Sequence, residues 1–435
     1  MKRRPITQHF LSAKDRPGRA VALRFKRHKN WIELSWEDYF HRAEAVALGL
    51  MELGVKAQDR VALLSNTRCE WAAADFGILG MGAVTVPLYQ SLLPDEIEFV
   101  LNDCQPKVLI LEDLGQWRKW ESIGRRCKSV EHVICIQPPQ EVPAQMRTFD
   151  DLLDLGAKSA AKFPLLFAEQ IAQHTIDDVA TIVYTSGTTG QAKGVVLTHQ
   201  QILSEVEDVN RAYPISMEDS TLAFLPFAHV VGRVELWLHT FTGFTLSFCE
   251  SLDRLRGNLL EVRPTVIIGV PRIFEKIFAA IMTDISSNPW RAKAFHWLEG
   301  SQLSNPLMQW PRQRLLEGLL YKKLRASLGG RLRFTVSGGA ALEPRIAQFF
   351  AQAGILILEG YGLTETTAAV TVNTPNAFEF GSVGRPLADV EIRLAEDGEI
   401  LVKSKKVLRE YYNDPQSTEQ QFRDGFFCTG DVGEW

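Results

Sequence analysis

Short apolar runs alternate along the chain with stretches in which apolar residues recur every three to four positions. Segments 60–64, 83–88, 107–111 and 132–136 read as strands buried on both faces, and 36–53 and 71–81 between them as helices. The alternation resumes at 221–225, 245–248, 265–269 and 333–336. This βα order predicts an α/β fold of two layered subdomains with mainly parallel sheets. From about Phe380 the pattern changes: 390–394 and 399–402 flank Asp397-Gly398 as the arms of a hairpin, so a small β-rich subdomain is expected there. The expected division is 1–179, 180–379 and 380–435. A chain of 435 residues is too long for one ordinary core, which agrees with several packed units. In such sheets ligands sit beyond the carboxyl ends of the strands.

Two polar stretches follow predicted strands directly. The run 179–183 leads into Tyr184-Thr-Ser-Gly-Thr-Thr-Gly-Gln-Ala-Lys-Gly194. Gly187 and Gly190 let backbone N–H groups turn toward an anion, Thr185, Ser186, Thr188 and Thr189 add hydroxyls, and Lys193 supplies a positive charge. That combination points to phosphate. It is not the Walker loop, because alanine precedes the lysine and glycine follows it. A plain Ser/Thr/Gly turn without a ligand is the alternative. The second stretch, Glu359-Gly-Tyr-Gly-Leu-Thr-Glu365, follows the apolar run 355–358 and is expected to be a turn. Tyr361 offers a flat ring, Thr364 a hydroxyl and Glu365 a hard oxygen, although a helix-capping Thr-Glu pair would look similar.

Together these stretches resemble the adenylate-forming, AMP-binding superfamily. Its signature T-S-G-T-T-G-x-P-K-G is matched by residues 185–194 except at Ala192, where proline would fix φ and stiffen the loop. Its Y-G-x-T-E element is matched by 361–365. Phe334-Thr-Val-Ser-Gly-Gly-Ala340 resembles the glycine turn flanking adenine, and Gly381-Ser-Val-Gly-Arg-Pro386 the turn into the next subdomain. Thr429-Gly-Asp431 resembles the element whose aspartate accepts bonds from both ribose hydroxyls. The resemblance implies the amino-terminal domain of an adenylate-forming enzyme. Its implied ATP site comprises Thr185, Ser186, Gly187, Thr188, Thr189, Gly190 and Lys193, then Gly338, Gly339, Ala340, Glu359, Gly360, Tyr361, Gly362 and Thr364, and finally Asp431. Mg2+ would be held by Thr185 and Glu365, and the catalytic set would be Thr185, Lys193, His229 and Glu365.

Within the superfamily, Leu225-Pro-Phe-Ala-His-Val-Val-Gly-Arg233 and Val270-Pro-Arg-Ile-Phe-Glu-Lys276 resemble paired signatures of long-chain acyl-CoA synthetases. His229 falls in the slot between acyl carboxylate and nucleotide, although a lone histidine is more often a hydrogen-bonded core residue. An amino-acid-activating enzyme would need a carboxylate to pair the substrate ammonium, and between Phe227 and Phe241 only Glu235 could supply one. The remaining residues there, Val230, Val231, Val234, Leu236, Trp237, Leu238 and Phe241, suit an acyl tunnel wall and a core helix equally. The resemblance implies that a fatty acid, ATP and coenzyme A are the substrates, with acyl-AMP formed first, pyrophosphate released, and the acyl group then passed to CoA. An acyl-AMP ligase that loads a carrier protein, or a non-catalytic nucleotide- or acyl-binding module, carries the same motifs. Relatives continue beyond the aspartate through a hinge and a mobile carboxyl-terminal domain, whereas this chain stops at Trp435. The 435-residue polypeptide is therefore expected to bind ATP and a fatty acid but to make acyl-CoA very poorly.

A net charge of −4 gives no global pull toward nucleic acid. The six cysteines lie far apart without a C-x-x-C, so neither a zinc site nor a disulfide framework is indicated. The basic start Met1-Lys-Arg-Arg-Pro5 lacks the apolar region of a secretory signal, and no stretch reaches the ~20 apolar residues of a membrane span. A cytoplasmic protein is expected. Segment 286–325 holds Trp290, Trp297 and Trp310 and seven Lys/Arg against two Glu, which suits either docking at the inner membrane face or a solvated helical hairpin. A homodimer stands as an expectation without a sequence signal of its own.

Overall fold

The computed structural model describes residues 3–16, 20–186, 191–287 and 317–435. Its largest sheet has eight strands, in the order Glu410–Tyr411, Ala192–Thr198, Val179–Ser186, Val84–Leu88, Arg60–Leu64, Val108–Leu111, His132–Cys135 and Met146–Thr148. The six strands from Val179–Ser186 onward are parallel to their neighbours. The two at the other edge are antiparallel. Parallel strands are covered by helices on both faces, and Val84–Leu88 and Val108–Leu111 are accordingly buried at every position. Helices Trp36–Glu52 and Cys69–Gly80 share an apolar cluster with these strands. The first is started by a reciprocal cap: Ser35 Oγ accepts the Asp38 amide and the Asp38 carboxylate accepts the Ser35 amide.

A second sheet pairs Ser220–Ala223, Thr245–Phe248, Val21–Arg27 and Asn30–Ser35. A third runs Val266–Gly269, Phe334–Ser337, Ile357–Leu363, Ala368–Val372 and Arg385–Pro386, parallel over the first three and antiparallel beyond. The last is an antiparallel sheet of Val390–Leu394, Glu399–Ser404, Phe426–Val432 and Phe422–Arg423, with the hairpin register Leu394↔Ile400. The sheets exchange strands along the chain. Position 179–180 lies inside the strand Val179–Ser186, whose parallel neighbour Val84–Leu88 comes from far earlier in the chain. Hydrophobic pattern reports the type of an element, not the sheet in which it pairs.

The segment read as a turn after 355–358 is a strand. Ile357–Leu363 runs through the tyrosine motif and pairs with Ala368–Val372, with a register shift at Tyr361/Gly362. A Cβ at Gly362 would fall 1.5 Å from the Ala368 carbonyl oxygen, so only glycine fits this irregularity.

Two buried charges tie the layers together. Arg233, fully buried, donates to Asp75 Oδ1 at 2.8 Å and Thr181 Oγ1 at 3.2 Å and lies between the rings of Trp71 and Trp237. It joins helix Val230–Thr242 to Cys69–Gly80 and to the strand that enters the phosphate motif. Lys406, also fully buried, reaches Glu205 at 2.9 Å and Asp208 at 3.3 Å on helix His199–Ala212. Either cation would be costly to bury without its partner.

Candidate functional site

A cavity of about 680 Å³ opens where the parallel strands end, receiving Val183, Tyr184 and Thr185 from one sheet and Val336, Ser337 and Gly338 from another. Thr185 and Lys193 line it together with Gly339, Gly360, Tyr361, Gly362, Thr364, Glu365 and Asp431. Motifs separated by well over a hundred residues thus face one space. Gly187, Thr188, Thr189 and Gly190 lie outside the described residues, as does the side chain of Ser186. So does most of segment 286–325, and with it the expected membrane contact.

The described residues on either side of 187–190 pair as strands. Strands Val179–Ser186 and Ala192–Thr198 are antiparallel with Thr185 opposite Lys193, so a hydroxyl and an ammonium share one rung. The Lys193 Nζ stands 5.1 Å from the centroid of the Tyr411 ring. The Tyr411 hydroxyl donates to Glu365 Oε1 at 3.1 Å. Sequence reading missed Tyr411; its one signal was the aromatic pair Tyr411-Tyr412 ahead of a polar turn. Across the cavity Tyr361 donates its hydroxyl to Asp431 Oδ2 at 2.8 Å, and burial holds this phenol above its ordinary value. Gly339 adopts φ +83°, a left-handed turn that brings bare backbone to the cavity edge.

Two expected site residues stand apart from the cavity. Ala340 is exposed beyond its rim. Glu359 is buried and accepts the Leu342 amide at 2.9 Å, so it clamps the loop after the glycine turn.

His229 lines the cavity and also caps helix Val230–Thr242: its Nδ1 accepts the Val231 amide at 3.2 Å. Burial pulls this imidazole below its ordinary value. With Nδ1 accepting, the neutral ring carries its proton on Nε2. The cap is a local structural duty, and it aims the rest of the ring.

The helix after His229 divides its apolar stripe between the cavity and the core. Val230, Val231, Val234 and Leu238 line the cavity, joined by Val209, Tyr213 and Ile215 from the neighbouring helix and its exit. Leu236 and Trp237 are fully buried in the core behind them, and Phe241 packs against His9 with ring centroids 4.9 Å apart. Glu235 points away as well: it is fully buried, does not line the cavity, and neither carboxyl oxygen has a hydrogen-bond partner of good geometry. Burial pushes it up to about 7. It is therefore not placed to meet a substrate ammonium in this cavity.

The donors around Glu365 are sparse. Its Oε1 is taken by Tyr411, while the hydroxyl-bearing Thr185 and Thr364 line the same space. Among the described residues no group of three or more His, Cys, Asp or Glu could hold a metal ion. One carboxylate with hydroxyls fits Mg2+ that brings most of its ligands as water and phosphate oxygens. Also among the described residues, no helix is long and apolar enough to cross a membrane, and the six cysteines are free.

Comparison with known proteins agrees with the geometry. The sequence profile of a family described as "AMP-binding enzyme" matches residues 10–412. "Long-chain-fatty-acid--CoA ligase FadD15" of Mycobacterium tuberculosis is 34% identical over 414 residues, covering 93% of this chain and 68% of that protein. "Fatty acyl-CoA synthetase A" of Dictyostelium discoideum is 29% identical over 428 residues, covering 93% of this chain and 63% of its own length. Among solved structures, the inhibitor-bound N-terminal domain of FACL13 from Mycobacterium tuberculosis superimposes with a TM-score of 0.72 at 23% identity, covering 99% of this chain and 97% of that one. ATP-bound MatB from Rhodopseudomonas palustris gives a TM-score of 0.76 at 24% identity, covering 99% of this chain and 76% of that one.

Proposed function

The chain belongs to the AMP-binding enzyme family and has the fold of an adenylate-forming amino-terminal domain, and on that premise we propose that its cavity activates a long-chain fatty acid with ATP. The reading is carried by one observation: Thr185 and Lys193 from the paired strands, Tyr361 from its strand and Glu365 from the turn after it line a single cavity together with the apolar side chains Val230, Val231, Val234 and Leu238. The nucleotide lies with adenine against the Gly338-Gly339 turn and Tyr361, ribose at Asp431, and phosphates at the hairpin. The acyl chain lies along Val230, Val231, Val234 and Leu238.

In this reading a carboxylate oxygen of the fatty acid attacks the α-phosphorus of ATP, the bond to pyrophosphate breaks, and acyl-AMP forms. The thiol of coenzyme A then attacks the acyl carbonyl and AMP departs. Neither step needs a protein nucleophile, so the residues act by positioning and by neutralising charge. Lys193 offsets phosphate charge, and the Thr185 and Thr364 hydroxyls hold phosphate oxygens. His229, neutral at working pH, offers Nε2–H to oxygen at the junction of the acyl arm and the nucleotide. Glu365 and Thr185 would hold Mg2+, which when bound supplies further neutralisation of phosphate charge. Substrate selection follows from an acyl arm with apolar walls and from Glu235, the carboxylate an amino acid would need, being turned into the core.

The test is acid-dependent pyrophosphate release across a panel of carboxylic acids from acetate to stearate. Release that rises with chain length supports the reading, and release with short acids or amino acids alone refutes it.

A further inference from the structure

We infer that Tyr411 is a positioning residue that couples the phosphate hairpin to the metal-binding carboxylate, its ring seating Lys193 and its hydroxyl fixing Glu365. This rests on the reading of the cavity as an Mg2+–ATP site. Tyr411 is 5% exposed and lies in the strand Glu410–Tyr411, opposite Val195 in the hairpin strand itself. The flanking backbone is pinned to that strand: the Arg409 amide donates to the Val196 carbonyl at 3.1 Å and the Tyr412 amide to the Gly194 carbonyl at 2.7 Å. The same segment reaches the other motif, because the Leu408 amide donates to the Glu365 carbonyl at 2.6 Å.

Residues 408–412 are thus bonded at once to the lysine's strand and to the glutamate's backbone, and Tyr411 carries the link into the side chains. Its ring lies 5.1 Å from Lys193 Nζ, a cation–π distance. Its hydroxyl donates to Glu365 Oε1 at 3.1 Å, and Glu365 lines the cavity. A partner bonded to a metal-binding carboxylate orients it, and loss of such a partner commonly lowers metal affinity by about 10- to 100-fold. The ordinary alternative is that Tyr411 only fills space between strands.

The two roles separate in two variants. ATP is titrated by calorimetry into the wild-type chain, Tyr411→Phe and Tyr411→Leu, in EDTA and in Mg2+, and each melting temperature is recorded. Tyr411→Phe keeps the ring and the packing. Its metal-free Kd should match wild type while the tightening of ATP by Mg2+ falls about tenfold. Tyr411→Leu should lose that tightening and also bind metal-free ATP about two- to fivefold more weakly, as expected for loss of one weak cation–π contact. A wild-type response to Mg2+ in Tyr411→Phe overturns the inference, as does unchanged metal-free affinity in Tyr411→Leu. Equal losses in both buffers with a lowered melting temperature mark simple packing and overturn it too. In those cases wild-type ATP binding survives and the proposed function stands. Absence of ATP binding by the wild-type chain removes both.

Discussion

Glu235→Gln should change stability in a way that depends on pH. In the folded chain this carboxyl is fully buried without a well-placed partner and is pushed up from 4.5 to about 7, chiefly by loss of water. A group whose folded value is raised contributes its stability in full below the unfolded value and loses it as pH rises through the folded one. The window therefore runs from 4.5 to about 7, and at about 1.4 kcal/mol per unit the span is about 3 kcal/mol. Glutamine keeps the shape and cannot ionise. Whatever constant offset the amide introduces, the variant should gain about 2 kcal/mol relative to wild type between about pH 5.5 and about pH 8. Urea denaturation of both proteins at the two pH values measures this directly. Because Glu235 does not line the cavity, ATP affinity should be the same in both. Stabilities that run parallel across the range would show that the carboxyl ionises as freely folded as unfolded, and the burial reasoning would fail.

Three further outcomes are expected. Lys193→Ala should weaken ATP binding in a calorimetric titration, since it removes the cation opposite Thr185; unchanged affinity would count against the hairpin as the phosphate site. Arg233→Met should cost about 3–5 kcal/mol in urea denaturation by leaving Asp75 charged and unpaired in the core, and adding Asp75→Leu should recover much of that loss. His199 and His239 are fully buried and pulled from 6.5 to about 3 by desolvation, so their stability is present above 6.5 and lost as pH falls toward 3. Each should cost about 2 kcal/mol at about pH 5, and replacing His199 by Asn should remove its share from the acid slope; an unaltered slope would contradict this.

The sequence announced the strands because parallel strands covered on both sides leave unbroken apolar runs, as in Val84–Leu88 and Val108–Leu111. It announced the two main motifs because hydroxyls, glycines and one lysine in so short a stretch serve few purposes. What stayed hidden depends on pairing between distant segments. Tyr411 meets Glu365 across 46 residues, and nothing local to either marks the meeting. The tyrosine motif read as a turn because glycines flank Tyr361, yet Gly360 and Gly362 are there to let two backbones approach within a strand pair. Glu235 looked available to a substrate because a charged residue in a sequence does not show what packs over it; Val231 and Leu238, one turn before and after it, line the cavity, while Glu235 itself is fully buried outside the lining. Nothing local in the sequence marks Arg233 and Lys406 as buried, and packing alone shows them enclosed with their partners.

The central claim is that two distant motifs close on one nucleotide, and a crystal structure with a non-hydrolysable ATP analogue and Mg2+ tests it most directly. The account predicts phosphate oxygens within hydrogen-bond distance of Thr185 and Lys193, adenine against Gly338-Gly339 and Tyr361, and the ribose hydroxyls on Asp431. Nucleotide bound elsewhere, or bound here with its phosphates turned away from the hairpin, would contradict it.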